Sequence, residues 1–416
     1  MLLKPMFVVT SLGFAVLAAY LYTPLPDGMA EPWKCQGIMA AIGLGQLVAR
    51  TLTYLGLYKF PYGIRAVMEA TLDHNYVSAT FGDVKVKKRT IEGVPVVVYR
   101  PKSLGDSPAP GLVFFHGGGF AIGCAATYDL TAYEIAKGSR AVVVSVDYRR
   151  APEHPFPAAA EDSLTVTRHV LRHGRNLGID VTKVGVAGDS AGGNLAAVVS
   201  LELSNEDSGL PPLQFQLLYY PWLQAVDFLL PSYVDNDVVA RNLFNRKSIT
   251  RLLALYIGIE DEDNALGTVV ASNSHVPEEI RSNLYSKYVG RHLLPEQFRK
   301  PKKETPTFDV SENVTMSVYT EIADFLRDPL FSPLMADDVS KVPPAFVHVA
   351  EFDILRDDGL LYIAKLQKAG VRVQGYFSKG GFHSEISRTY IKWMASNTGA
   401  MALQKSFQFM HDVLGQ

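Results

Sequence analysis

After about residue 80 the chain alternates short apolar runs with amphipathic stretches. Val84 to Arg100 reads as two antiparallel strands turning at Glu92-Gly93. Further strand-like runs are Gly111 to Phe115, Ala141 to Asp147, Val184 to Ala187, Phe215 to Tyr219, Ala345 to Val349 and Val371 to Phe377. Wholly apolar runs this short suit strands covered on both faces, as in a parallel sheet. Helical periodicity lies between them, from Ala158 to His173 and from Asp358 to Lys368. The alternation predicts an α/β fold, an open and mostly parallel central sheet with helices on both faces. The rhythm breaks between about Gln224 and Arg327, a stretch rich in aromatic and charged residues without a clean strand. It predicts a helical insertion that caps the active face.

The N-terminus follows another pattern. No charge stands between Lys4 and Asp27, and Pro5 to Pro26 makes about 22 residues, a helix of roughly 33 Å. That exceeds a hydrocarbon core of about 30 Å and is longer than the apolar centre of a cleaved signal peptide, about 7–15 residues. No convincing small-x-small cleavage site follows, so the expectation is an uncut transmembrane signal anchor over residues 1–26. Lys4 before the span, with Asp27 and Glu31 after it, favours a cytosolic N-terminus and a lumenal body. The sequon Asn313-Val314-Thr315 fits a lumenal, glycosylated body. A second apolar stretch, Gly37 to Tyr58, contains Gln46 and Arg50. It reads as an amphipathic helix, packed on the body or lying at the membrane surface. The expected organisation is an anchor at 1–26, a helical cap region at 27–83, and a catalytic domain at 84–416 carrying the insertion at about 224–327.

Composition narrows the chemistry. A net charge of -2 over 416 residues leaves no electrostatic footprint for nucleic acid. Cys35 and Cys124 are the only cysteines, too few for a disulfide framework or a cysteine-based metal centre, and a bridge between them is the lesser reading. No cofactor or metal is expected.

The candidate chemistry starts at Gly188-Asp189-Ser190-Ala191-Gly192, which fits the G-x-S-x-G nucleophile elbow. Chance alone produces such a pattern in about one of seven chains of this length. Context raises its weight, since the strand Val184 to Ala187 precedes it and a helical run from Asn194 to Leu203 follows. Glycines here would turn the chain sharply and expose the Ser190 hydroxyl. Directly after another strand comes His116-Gly117-Gly118-Gly119. Backbone N–H groups of Gly117, Gly118 and Gly119, joined by that of Ala191, would form an oxyanion hole. A phosphate loop is the rival reading, but the glycine spacing misses the dinucleotide fingerprint and no P-loop lysine follows. His116 reads as a brace for the loop.

The base should lie late in the chain, after the last strand. His383 follows Val371 to Phe377 and a flexible Lys379-Gly380-Gly381, whereas His348 lies in a strand and His411 in a terminal helical run. The acid should sit past a strand end between serine and histidine. Glu351, Asp353, Asp357 and Asp358 qualify. Asp357 and Asp358 fall at a helix start, where carboxylates cap or meet the dipole, so Asp353 is preferred.

These motifs resemble the hormone-sensitive-lipase-like branch of the α/β-hydrolases. The likeness rests on His116 to Phe120, Gly188 to Asn194, Asp147 to Glu153 and Asp353 to Gly359. Within the branch, Tyr22 to Asp27 and Glu31-Pro32-Trp33 resemble the arylacetamide deacetylase group. That resemblance implies a type II protein of the endoplasmic reticulum membrane with a lumenal catalytic domain. It implies an acyl-enzyme mechanism on lipophilic esters and arylacetamides, with a neutral lipase or cholesteryl ester hydrolase as the alternative. Arg150 departs from the family's usual leucine, and Ala121 and Ala350 stand where close relatives often carry cysteines. The branch also includes a hormone receptor that has lost the triad histidine; His383 is present here, which favours an enzyme over a ligand-binding homologue.

Overall fold

Eight strands form one sheet in the order β1-β2-β4-β3-β5-β6-β7-β8. They are β1 (Val84–Ile91), β2 (Val94–Pro101), β3 (Ala109–Phe115), β4 (Val142–Val146), β5 (Ile179–Asp189), β6 (Gln216–Tyr219), β7 (Ala345–Phe352) and β8 (Val373–Phe382). This computed structural model describes residues 15–72, 82–237, 245–259, 265–306, 310–387 and 395–415. β1 and β2 pair as a hairpin, with Ile91 opposite Val94 and positive φ at both Glu92 and Gly93 (48° and 86°). Such a turn matches the twist of the flanking strands. β2 meets β4 antiparallel, and every later pairing is parallel.

The strands outrun their apolar runs. β5 begins at Ile179, and β8 continues to Phe382. Lys379-Gly380-Gly381 is therefore strand rather than a flexible loop, and Gly380 N–H donates to Glu351 Oε2 at 2.8 Å. Pairing with β7 on either side, Ala350 with Ser378 and Phe352 with Phe382, holds the segment in the sheet as a bulge opposite Glu351.

Alternate strand residues feed two apolar layers. Val113 and Phe115 enter one, and Leu112 and Phe114 the other. Helices cover both faces: α1 (Pro32–Tyr54), α2 (Tyr62–Leu72), α3 (Asp129–Ser139), α4 (Ala158–His173), α5 (Ala191–Asn205), α6 (Pro231–Asp235), α7 (Arg246–Tyr256), α8 (Ala265–Ala271), α9 (Glu278–Leu284), α10 (Glu312–Arg327), α11 (Arg356–Lys368) and α12 (Asn397–Leu414). Helices α6 to α10 lie in sequence between β6 and β7. Side chains of this stretch, helical and non-helical, are continuous with the sheet's own core. Trp222, Phe228, Leu230, Tyr233, Leu252 and Tyr256 all join the cluster that includes Val113 and Val186.

Among the described residues no helix is long and apolar enough to cross a membrane. Residues 1–14 of the expected anchor lie outside them, and residues 15–21 are helical. Cys35 and Cys124 are separately buried and unbridged.

Candidate active site

β5 ends at Asp189 and α5 starts at Ala191, so the whole strand-to-helix turn falls on Ser190. Its φ of 56° and ψ of -118° place it outside the regions open to most side chains. Glycine is required on both sides. A Cβ at Gly188 would lie 2.1 Å from the Gly192 carbonyl oxygen, and one at Gly192 would lie 2.0 Å from that of Phe115. The turn holds because Ser190 N–H donates to Tyr219 O at 2.9 Å, which ties it to β6.

Asp353 follows directly on β7, and His383 directly on β8. His383 Nε2 stands 3.1 Å from Ser190 Oγ and Nδ1 2.7 Å from Asp353 Oδ2. Asp353 Oδ1 accepts from Leu355 N–H, and Asn236, just past α6, donates to the Asp353 carbonyl oxygen at 2.9 Å. The parallel register of β6, β7 and β8 beside β5 brings the three distant segments together.

Asp357 and Asp358 differ from their expected capping role. Both are buried and act as cross-links, because the strand exit turns their side chains inward toward the insertion. Asp358 accepts from Leu223 N–H at 3.0 Å, and Asp357 from Ser232 N–H at 2.7 Å. Burial raises both carboxyls, Asp358 to about 8.

Gly117 also departs from expectation. Its N–H donates to Asp189 Oδ1 at 2.8 Å and so points away from an incoming oxyanion. The N–H groups of Gly118, Gly119 and Ala191 make no such bond among the described residues. At Gly118 φ is 117°, and a Cβ would fall 1.9 Å from the Ile122 carbonyl oxygen. His116 lies fully buried beneath this loop. Its ring stacks on Tyr148 at 4.2 Å, and Nδ1 is 2.8 Å from the Gly117 carbonyl oxygen. Burial drives its pKa down to about 4, so the imidazole is neutral at physiological pH.

Sequence reasoning missed two supporting residues. Asp189 appeared as part of a motif, yet it joins the elbow to the oxyanion loop, with Tyr128 donating to its second oxygen at 3.1 Å. Burial raises its carboxyl to about 6. Arg65, on α2, donates through Nε to the Ala121 carbonyl oxygen at 2.7 Å and pairs with Glu153. It fastens the N-terminal helices to the same loop. A lone buried arginine leaves no spacing signal.

A model of the alpha/beta hydrolase fold family matches residues 112–279 and 292–387. The chain belongs to the α/β-hydrolase family. Arylacetamide deacetylase of Bos taurus is 34% identical over 96% of this chain and 97% of its own. Neutral cholesterol ester hydrolase 1 of Bos taurus is 29% identical over 92% of this chain and 97% of its own. Among solved structures, an esterase of Pyrobaculum calidifontis is 26% identical, with a TM-score of 0.58 over 88% of this chain and 98% of its own. Within the α/β-hydrolase family this chain is thus an ester-cleaving enzyme of the serine type.

Proposed function

We propose that the chain cleaves lipophilic carboxylic esters and arylacetamides through an acyl-enzyme, with Ser190 as nucleophile, His383 as base and Asp353 as acid. The hydrogen-bonded path from Asp353 through His383 to Ser190 carries this reading. Ser190 Oγ attacks the acyl carbon while its proton passes to His383 Nε2. The carbonyl oxygen becomes an oxyanion that Gly118, Gly119 and Ala191 N–H groups stabilise. Collapse breaks the bond to the alcohol or amine, which leaves with the proton from His383. Water then attacks the acyl-serine while His383 Nε2 takes its proton; collapse breaks the bond to Ser190 Oγ, which recovers the proton from His383 as the carboxylic acid departs. Asp353 fixes the imidazole tautomer and stabilises the imidazolium without being protonated. The neutral, buried His116 braces the loop and takes no part in proton transfer.

The similarity to arylacetamide deacetylases supports short acyl groups with lipophilic leaving groups. The similarity to neutral cholesterol ester hydrolase favours a second reading, long-chain ester hydrolysis. The deciding measurement is kcat/KM for one leaving group across acetyl, butyryl, octanoyl and palmitoyl esters in one detergent. A graded fall with length is expected, since each methylene changes discrimination by roughly 1–3 kcal/mol. A maximum at octanoyl or beyond replaces the deacetylase reading with the lipase reading.

The same proposal makes the chain a type II protein of the endoplasmic reticulum membrane. Residues 5–26 would be its anchor, the catalytic domain would be lumenal and Asn313 glycosylated. The uncharged length of the segment supports the anchor, and the exposure of Asn313 in the first turn of α10 supports the glycan.

A further inference from the structure

Helix α1 is apolar on both sides. Its inner side buries Cys35, Ile38 and Met39 against Phe352 and Phe382. Those two phenylalanines immediately precede Asp353 and His383. A surface helix packed in this way ordinarily turns charged and polar groups outward. Here the outward positions are Trp33 (70% exposed), Leu44 (48%), Val48 (44%) and, at the C-cap, Leu55 (61%). With 100° per residue, they and Ala41 fall within an arc of about 80°. Thr51 is the single hydroxyl on that arc, and the helix's two cations, Lys34 and Arg50, lie outside it. An uncharged outward arc on a helix whose inner side is already buried calls for a further apolar partner, protein or lipid.

Three observations identify the occupant as lipid. First, the chain enters α1 from the uncharged stretch Pro5 to Pro26. Second, the described end of that stretch is tied to α1: Thr23 N–H donates to Gln36 Oε1 at 3.3 Å, and Gln36 Nε2 donates to the Leu21 carbonyl oxygen at 3.2 Å. A membrane crossing by the stretch would therefore deliver the bilayer surface to α1. Third, exposed aromatic rings stand at both ends of the helix, Trp33 on the arc in its first turn and Tyr54, about 60° off it, at the last residue. Such rings settle at the level of lipid headgroups.

We infer that the outer arc of α1 seats in one leaflet of the bilayer as an in-plane second contact. The inner side of the same helix would then stand against the segments bearing the acid and base, about one helix diameter, roughly 10 Å, from lipid. Lipophilic substrate would reach the site without crossing bulk water. The inference rests on the anchor reading for its geometry, but its test separates the two.

Val48→Cys takes an environment-sensitive fluorophore in the full chain, where Cys35 and Cys124 are buried. The labelled protein is reconstituted in phosphatidylcholine–phosphatidylethanolamine vesicles, with and without brominated acyl chains. Expected are a blue-shifted emission and quenching by the brominated lipid. Leu44→Glu together with Leu55→Glu should return the probe to aqueous emission, while hydrolysis of a water-soluble aryl acetate stays within about twofold. That activity shows that the variant is folded. Extraction at alkaline pH reads the anchor separately. A chain that stays in the pellet while its probe remains aqueous and unquenched keeps the anchor and overturns the seating. A shifted, quenched probe on an extractable chain keeps the seating and removes the anchor. A shift that grows with protein concentration at fixed lipid assigns the arc to a second copy and overturns the inference, as does failure to bind vesicles.

Discussion

In the proposed mechanism the side chains around the elbow divide into groups that react and groups that hold them in place. Ser190→Ala, Asp353→Asn and His383→Ala should each lower kcat by about 10⁴ or more, because the three act as a unit. Asp357→Asn should leave most of the turnover in protein that remains folded, since Asp357 meets Arg356 and Ser232 rather than His383. If Asp357→Asn proves the more damaging change, the acid is misassigned. Asp189→Ala frees the Gly117 N–H and unties the oxyanion loop; kcat should fall by about 10² with KM little changed. A second residue-scale effect appears as pH dependence. His275 is buried, its Nε2 is 2.9 Å from the Ala225 carbonyl oxygen, and burial lowers its pKa from 6.5 to about 4. The unfolded chain binds a proton there before the folded one does. The resulting stability is present above pH 6.5 and lost as pH falls toward 4, at about 1.4 kcal/mol per unit. Relative to His275→Asn, the parent chain should lose stability over that window in denaturant titrations, and a parallel pair of curves would contradict it.

Between elements, a pair of fully buried side chains reinforces the histidine segment. His348 on β7 places Nε2 2.9 Å from Oε1 of Glu385, two residues beyond His383, and Glu385 also accepts from Thr398 near the start of α12. The Tyr220 ring lies between the two imidazoles, 5.5 Å from that of His348 and 4.9 Å from that of His383. His348→Leu removes the ring that faces the buried Glu385 side chain and should cost about 1–3 kcal/mol, whereas His348→Leu with Glu385→Gln should recover part of it. Additive losses in urea unfolding would deny the coupling. His348 lies in a strand, as its apolar neighbours suggested, but its partner is 37 positions away in sequence. Strand period and burial could be read locally. A long-range contact between side chains could not.

At the scale of the whole molecule, the membrane segment and the sequon make a joint prediction. The mature chain should keep residues 1–26, remain pelleted after alkaline extraction, and shift in mobility on glycosidase treatment unless Asn313 is changed to Gln. A trimmed, soluble form contradicts the anchor, and an unshifted band contradicts the glycan alone. The insertion matters at this scale too. Asp357, Asp358 and Asn236 bind it to the strand exit that bears Asp353, so its removal should unfold the site rather than merely open it.

What the sequence determined by itself was whatever depends on near neighbours. The apolar runs marked the strands, and the elbow's glycines marked the one place where a strand could turn into a helix on a serine. Chain order and strand exits singled out His383 and Asp353. Tertiary structure decided what depends on facing. Gly117 spends its N–H on Asp189, which leaves the N–H groups of Gly118, Gly119 and Ala191 for the proposed hole. Lys379-Gly380-Gly381 continues the strand as a bulge because Ser378 and Phe382 on either side pair with β7. Asp357 and Asp358 are cross-links because the insertion folds down over them. Arg65 reaches the Ala121 carbonyl oxygen across 56 residues of chain. In each case the decisive partner is far off in sequence, and a residue's type does not state which distant donor or acceptor its burial will satisfy.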